Sequence, residues 1–186
     1  MPAAGAGSIM PNLVGEREIF MLNLKIQDAI NSQIKHELAS AYLYLSMSAY
    51  FEANNLPGFA SWMRIQADEE REHAMKFFDY VNDRGGRVSL QGIEQPQVEW
   101  DSALKVFEQV YSHEQKVTSL IHAIYKLAVE EADYPTQVML HWFIDEQVEE
   151  EKNASAILDQ LKAIEGHSSA VFMLDHRLGK RSEEED

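Results

Sequence analysis

The sequence predicts an all-α fold: a four-helix bundle with one long crossover between the second and third helices, plus a short C-terminal helix. Three observations carry that expectation. Four long stretches repeat apolar residues in steps of three and four, the spacing of one helix face. The first and third breaks between them are a few residues around a proline, whereas the second runs from Gly85 to about Trp100. Each apolar stripe is also interrupted near its middle by a carboxylate, so all four share a polar layer at one depth.

The first stretch, from about Asn23 to Asn54, carries the stripe Ile26, Ile30, Gln33, Glu37, Ala41, Tyr44, Ser48. The run Asn54-Asn55-Leu56-Pro57-Gly58 stops it, because proline disfavours helix in the residue before it and suits the first turn of the next helix. The second stripe is Phe59, Trp62, Gln66, Glu70, His73, Phe77, Val81, and it ends near Arg84-Gly85-Gly86. A third stretch, from about Asp101 to Glu131, runs along Phe107, Val110, Glu114, Val117, Ile121, Ile124 and Ala128. After Ala132-Asp133-Tyr134-Pro135 the fourth runs along Met139, Phe143, Glu146, Glu150, Ala154, Ile157 and Leu161, with Gln147 beside its acids. Beyond Gly166, SSAVFMLDHRLGK has the length of one further helix of about three turns.

Helices of about thirty residues are about 45 Å long. Short links make the first pair antiparallel and the second pair likewise. The segment after Gly85 reaches roughly 50 Å when extended, enough to travel the length of the bundle. Residues 1–20 read as a flexible extension without a core role, residues 21–181 as the folded domain, and residues 182–186 as an acidic tail.

Charge and composition narrow the function. Sixteen Lys and Arg against thirty-one Asp and Glu leave a net charge of −15, which argues against nucleic acid and for attraction of cations. With no cysteine the chain has no disulfide, thiolate zinc site or iron–sulfur cluster. No apolar run approaches membrane-spanning length, and the first twenty residues lack the charged and apolar regions of a secretory signal. The expectation is a cytoplasmic protein with no membrane or nucleic-acid partner.

Ionised glutamates inside a bundle cost several kcal/mol each unless a positive charge neutralises them. Glu70 and His73, one turn apart, project side by side toward a single point, and a divalent metal is the economical counter-charge. Glu37, Glu114 and Glu150 arrive there from the other helices, with Glu69, Glu146, Gln147 and Glu149 alongside. Taken singly, each is more simply a solvated or hydrogen-bonded side chain; four stripes interrupted at one depth are not. Oxygen-rich ligation with one imidazole suits iron or manganese. Trp62, Trp142 and Phe143 read as packing residues.

The segments HELASAYLYLSMSAYF, DEEREHAMKFFDYVNDRGGR, HEQKVT, DYPTQVMLHWFIDEQVEEE and VFMLDHRLGKR resemble the non-haem ferritins of bacteria and archaea, over about residues 21–181. A Glu from each of two helices with Glu-x-x-His motifs on others is the pattern of the ferritin-like di-iron class. The resemblance implies an iron-storage ferroxidase that oxidises Fe(II) with dioxygen or hydrogen peroxide and deposits ferric mineral in a homo-oligomeric cage of 24 subunits. It implies that Glu37, Glu70 and His73 hold one iron, and that Glu70 bridges to a second completed by Glu114 and Glu150. Gln147 would lie near the oxygen side of that iron. Glu69, Glu146 and Glu149, with Glu150 shared, match a third iron site, and Tyr44 matches a tyrosine that can donate an electron.

Two departures from relatives are informative. Bacterioferritins repeat Glu-x-x-His on the fourth helix, but here the spacing is Gln147-x-x-Glu150, so no haem is expected. Animal ferritins carry acids lining a three-fold channel where this chain has Gln137 and Leu140, so no acidic channel is expected there. A rubrerythrin-like oxidase or peroxidase that stores nothing is the rival reading, against which the absence of any CxxC pair counts. A passive metal buffer is a third, against which the complete ligand set counts.

Overall fold

The computed structural model describes residues 21–180; the expected N-terminal extension and acidic tail lie outside the described residues. Among the described residues there are five helices: α1 Leu24–Ala53, α2 Pro57–Asp83, α3 Ala103–Glu130, α4 Tyr134–Ala163 and α5 Ser168–Leu178. Their starts follow from local chemistry. Asn23, Ser102 and Asp133 accept hydrogen bonds from the first-turn amides of Lys25, Lys105 and Thr136 at 2.8, 3.2 and 3.1 Å. Proline stands in the first turn of α2 and of α4, where its missing N–H leaves no helical bond unmade.

Pairings along the bundle fix the helix directions. Leu22 N–H donates to the Arg84 carbonyl at 3.0 Å, and Ser48 Oγ to the Ala60 carbonyl at 2.8 Å, so α1 and α2 are antiparallel. Gln137 Nε2 donates to the Ala128 carbonyl at 3.1 Å and Gln147 Nε2 to that of Glu114 at 3.3 Å, which makes α3 and α4 antiparallel too. The crossover between Asp83 and Ala103 lies along α1, from its start to its end. Arg87 N–H donates to Gln27 Oε1 at 2.8 Å, Ser89 N–H to Asn31 Oδ1 at 3.0 Å, and Ser46 Oγ to the Gln97 carbonyl at 2.6 Å. The Trp100 ring then meets Tyr50, centroids 5.3 Å apart. The expected topology is therefore present.

Two apolar clusters fill the bundle, one at each end. In one, Phe51 stacks on Phe59 at 4.9 Å beside Tyr44, Met63, Phe107 and Leu161. In the other, Phe77 stacks on Phe143 at 3.9 Å among Ile26, Ile30, Val81, Ile121 and Leu140. Between them lies a buried polar layer of Glu37, Gln66, Glu70, His73, Glu114, Gln147 and Glu150. The helices dictate this layering, because each stripe carries its polar residues at mid-length.

The α4 stripe needs correction. Its buried face runs Thr136, Leu140, Phe143, Gln147, Glu150, whereas Met139 and Glu146 are half-buried. Both runs have helical spacing, so periodicity alone does not separate them. Packing does, by enclosing the branched Leu140 completely in the apolar cluster and placing the charged Glu146 at its margin. Leu140 therefore cannot line a channel in this fold, and Gln137 is occupied by its bond to Ala128.

At the Phe51–Phe59 end, α5 crosses the start of α2. Leu56, the residue before α2, offers no capping side chain; the buried Asp175 of α5 supplies one, accepting from Phe59 N–H at 2.9 Å. The approach is close enough that a Cβ on Gly58 would lie 1.7 Å from the Asp175 carbonyl oxygen. Only glycine fits there.

Candidate metal centre

The polar layer is built from pairs of residues one helical turn apart. On α1, Gln33 donates to Glu37 Oε1 at 2.8 Å, leaving Glu37 Oε2 buried without a hydrogen-bond partner. On α2, Glu70 and His73 share a face because they stand three residues apart, and Glu70 Oε2 is the second buried oxygen without a hydrogen bond. His73 Nδ1 lies 3.9 Å from that oxygen, and Nε2 lies 3.8 Å from Glu146 Oε1 across on α4. Glu37, Glu70 and His73 each present one ligand atom within 4.8 Å of the others. Among the described residues this is the group whose geometry suits a cation.

Glu114 and Glu150 face the cluster from α3 and α4, but their oxygens are differently engaged. Tyr44 donates its hydroxyl hydrogen to Glu114 Oε1, and Gln147 Nε2 approaches Glu114 Oε2 at 3.3 Å. Gln147 Nε2 also lies 3.2 Å from Thr118 Oγ1, whose hydroxyl reaches Glu151 Oε1 at 2.6 Å. Both oxygens of Glu150 accept from Gln66 Nε2, at 3.1 and 3.0 Å.

The electrostatics follow from crowding acids away from water. Burial, then the charges of Glu114 and Glu37, hold the Glu70 carboxyl well above the ordinary range. Burial also raises Glu37, against the help of its hydrogen bonds. Glu114 is pushed up to about 7 by burial, partly offset by Tyr44 and Gln147. Burial and the Glu114 carboxylate push the Tyr44 hydroxyl well up, so it stays a proton donor. Without a cation the layer therefore retains protons near neutrality, and a bound cation displaces them.

The remaining expected residues lie at the margin. Glu69 is half-buried, Glu146 keeps 29% of its side chain exposed, and Glu149 is exposed. Trp142 packs edge-on to His73 with centroids 5.3 Å apart and carries Lys76 Nζ 4.2 Å from its ring centre on the outer side. Sequence reading passed over Gln33, Gln66 and Thr118 as site residues. The two glutamines stand in the buried stripes four residues before Glu37 and Glu70. An amide at that spacing in a core face is the signal that marks them; Thr118, half-buried on α3, leaves none.

Comparisons with known proteins agree with this architecture. A family model for the Ferritin-like domain matches residues 27–164. A bacterial non-heme ferritin of Bacteroides fragilis is 42% identical over 161 residues, spanning 87% of this chain and all of the relative. One from Staphylococcus saprophyticus is 39% identical over 165 residues, 89% of this chain and 99% of the relative. Among solved structures, the open pore ferritin of Archaeoglobus fulgidus is 47% identical with a TM-score of 0.86, covering 87% of this chain and 98% of that one. With one family model across most of the described helices and relatives matched over nearly their whole length, this chain belongs to the ferritin-like family.

Proposed function

We propose that the protein is a cytoplasmic iron-storage ferroxidase acting as a homo-oligomeric cage of 24 subunits, with iron as both substrate and cargo. The observation that carries this reading is the pair of buried carboxylate oxygens, Glu37 Oε2 and Glu70 Oε2, that no hydrogen-bond donor satisfies and that face His73. Without a metal such crowded buried carboxyls hold on to protons, and a cation that replaces those protons takes up the free oxygens as ligands.

In this reading Glu37, Glu70 and His73 hold one Fe(II), and Glu70 is shared with a second held by Glu114 and Glu150. Each ion gives up one electron. Dioxygen takes two electrons and two protons to become hydrogen peroxide, or hydrogen peroxide takes two electrons and two protons to become two waters. Carboxylates favour the ferric product, because anionic oxygen ligands stabilise the higher charge. Protons displaced from the layer by incoming cations are available to the reduction. Gln147 is assigned to the second ion's oxygen side, and Tyr44, bonded to Glu114, is assigned as a one-electron donor whose oxidation would stand in for that of one ion. Glu69, Glu146 and Glu149, partly solvated at the margin and sharing Glu150, are assigned to a third iron site. No haem belongs to this scheme: α4 presents Gln147 and Glu150 where a second Glu-x-x-His would stand.

The test is Fe(II) added in air to purified protein. The reading expects fast oxidation together with an iron core that stays soluble and elutes with the cage. Fast oxidation followed by ferric precipitate would instead identify an oxidase that stores nothing.

A further inference from the structure

The two halves of the centre are not equally ready for a cation. Glu37 and Glu70 each keep a buried oxygen without a hydrogen bond, and with His73 they already stand at ligating separations. Both oxygens of Glu150, by contrast, accept from one nitrogen. Gln66 Nε2 sits in the fork of that carboxylate, 3.1 Å from Oε1 and 3.0 Å from Oε2. This is the place a cation would take if Glu150 bound it through both oxygens. An amide N–H is a donor and cannot ligate a cation, so Gln66 competes with the metal rather than assisting it.

Gln66 is well placed to compete. It is fully buried on α2, one turn before Glu70, and Glu150 reaches it from α4. The contact lies inside the bundle, where a hydrogen bond is electrostatically stronger than in water. No amide is set against Glu70 Oε2, four residues further along the same stripe.

We propose that Gln66 is a positioning residue that latches Glu150, so that the first cation enters at Glu37, Glu70 and His73 and the second binds only as Glu150 turns off the Gln66 amide. The inference rests on the two-ion reading above and adds to it the residue that sets the affinity gap between the two steps. Gln66 touches neither ion. It acts by holding a ligand in a competing hydrogen bond.

The test is anaerobic titration of the metal-free assembled protein with Co(II), followed by calorimetry and by the visible absorption that reports coordination number. Wild type should show a tight step of one ion per subunit and a weaker second one. Gln66→Met, similar in volume and without a donor, should leave the first step unchanged and tighten the second roughly ten-fold or more, the scale of a lost charge-assisted hydrogen bond. Gln66→Asn, whose amide falls one methylene short of Glu150, should move the second step in the same direction and serves if the methionine variant does not fold. A second step that is unchanged or weaker in a folded variant overturns the latch. A first step that survives Glu37→Ala overturns the assigned centre itself, whatever the Gln66 variants do.

Discussion

Glu114 makes the metal-free protein sensitive to pH in a direction opposite to carboxylates that are ion-paired in the folded state. Its carboxyl titrates at about 7 in the fold against an ordinary value of 4.5, with burial the main cause. Between those two values the folded state binds more protons than the unfolded one, so stability falls as pH rises. It is highest below 4.5 and fully reduced above 7. At 1.36 kcal/mol per pH unit, Glu114 alone lowers stability by about 3 kcal/mol across that window. For a chain of this size that is a fall of roughly 6–12 °C in the melting midpoint. Glu37 and Glu70, also raised, steepen it further. Glu114→Gln keeps the side-chain shape and an acceptor for Gln147 but removes the charge. Calorimetric melting of the metal-free protein from pH 5 to 8 should give a profile flatter for Glu114→Gln than for wild type by about that amount, and saturating Zn(II) should flatten wild type likewise. Superimposable profiles for variant and wild type would refute the claim that an uncompensated carboxylate sits at this position.

Other perturbations probe separate parts of the structure. Gly58→Ala places a Cβ against the Asp175 carbonyl, so α5 must shift or detach; hydrogen exchange should show lost protection over Ser168–Leu178 and at Phe59, with the rest of the bundle retained. Glu70→Ala removes the shared ligand and should abolish the fast phase of Fe(II) oxidation in stopped-flow absorbance. The subunit should still fold, because the substitution relieves repulsion among the remaining acids. Glu149→Ala alters only the exposed margin, so rapid binding of the first two irons per subunit should survive while later turnover changes; loss of all fast oxidation in anaerobically loaded, oxygen-pulsed protein would contradict the division between the centre and the third site.

Much of this was legible in the chain because helical periodicity and punctuation are local signals. The stripes through Glu37, Glu70 and Glu114 are buried as their spacing requires, and Pro57, Gly85 and Pro135 mark real boundaries. In α4 the expected Phe143, Glu150, Ala154, Ile157 and Leu161 are buried, but whether Leu140 and Gln147 or Met139 and Glu146 complete that face was not legible, since both runs satisfy a helix. Only packing between α2 and α3 chooses between them. The same choice encloses Leu140 in the core and removes it from any channel. Contacts between distant segments were equally hidden: nothing near Gly58 announces that Asp175 will cap α2, and nothing near Gln66 announces Glu150. Residue type reveals a ligand's chemistry, whereas the engagement of Glu150 depends on Gln66, a neighbour more than eighty positions away.

In the proposed centre, Glu37, Glu70 and His73 form a cation site completed across the bundle by Glu114 and Glu150. The most direct measurement is anomalous diffraction at the iron edge from crystals of the metal-free protein soaked anaerobically with Fe(II). One strong peak should lie within bonding distance of Glu37, Glu70 and His73, and a weaker second peak should be shared by Glu70, Glu114 and Glu150. Iron found only at the exposed acids, with the Glu37, Glu70 and His73 cluster empty at saturating Fe(II), would contradict it.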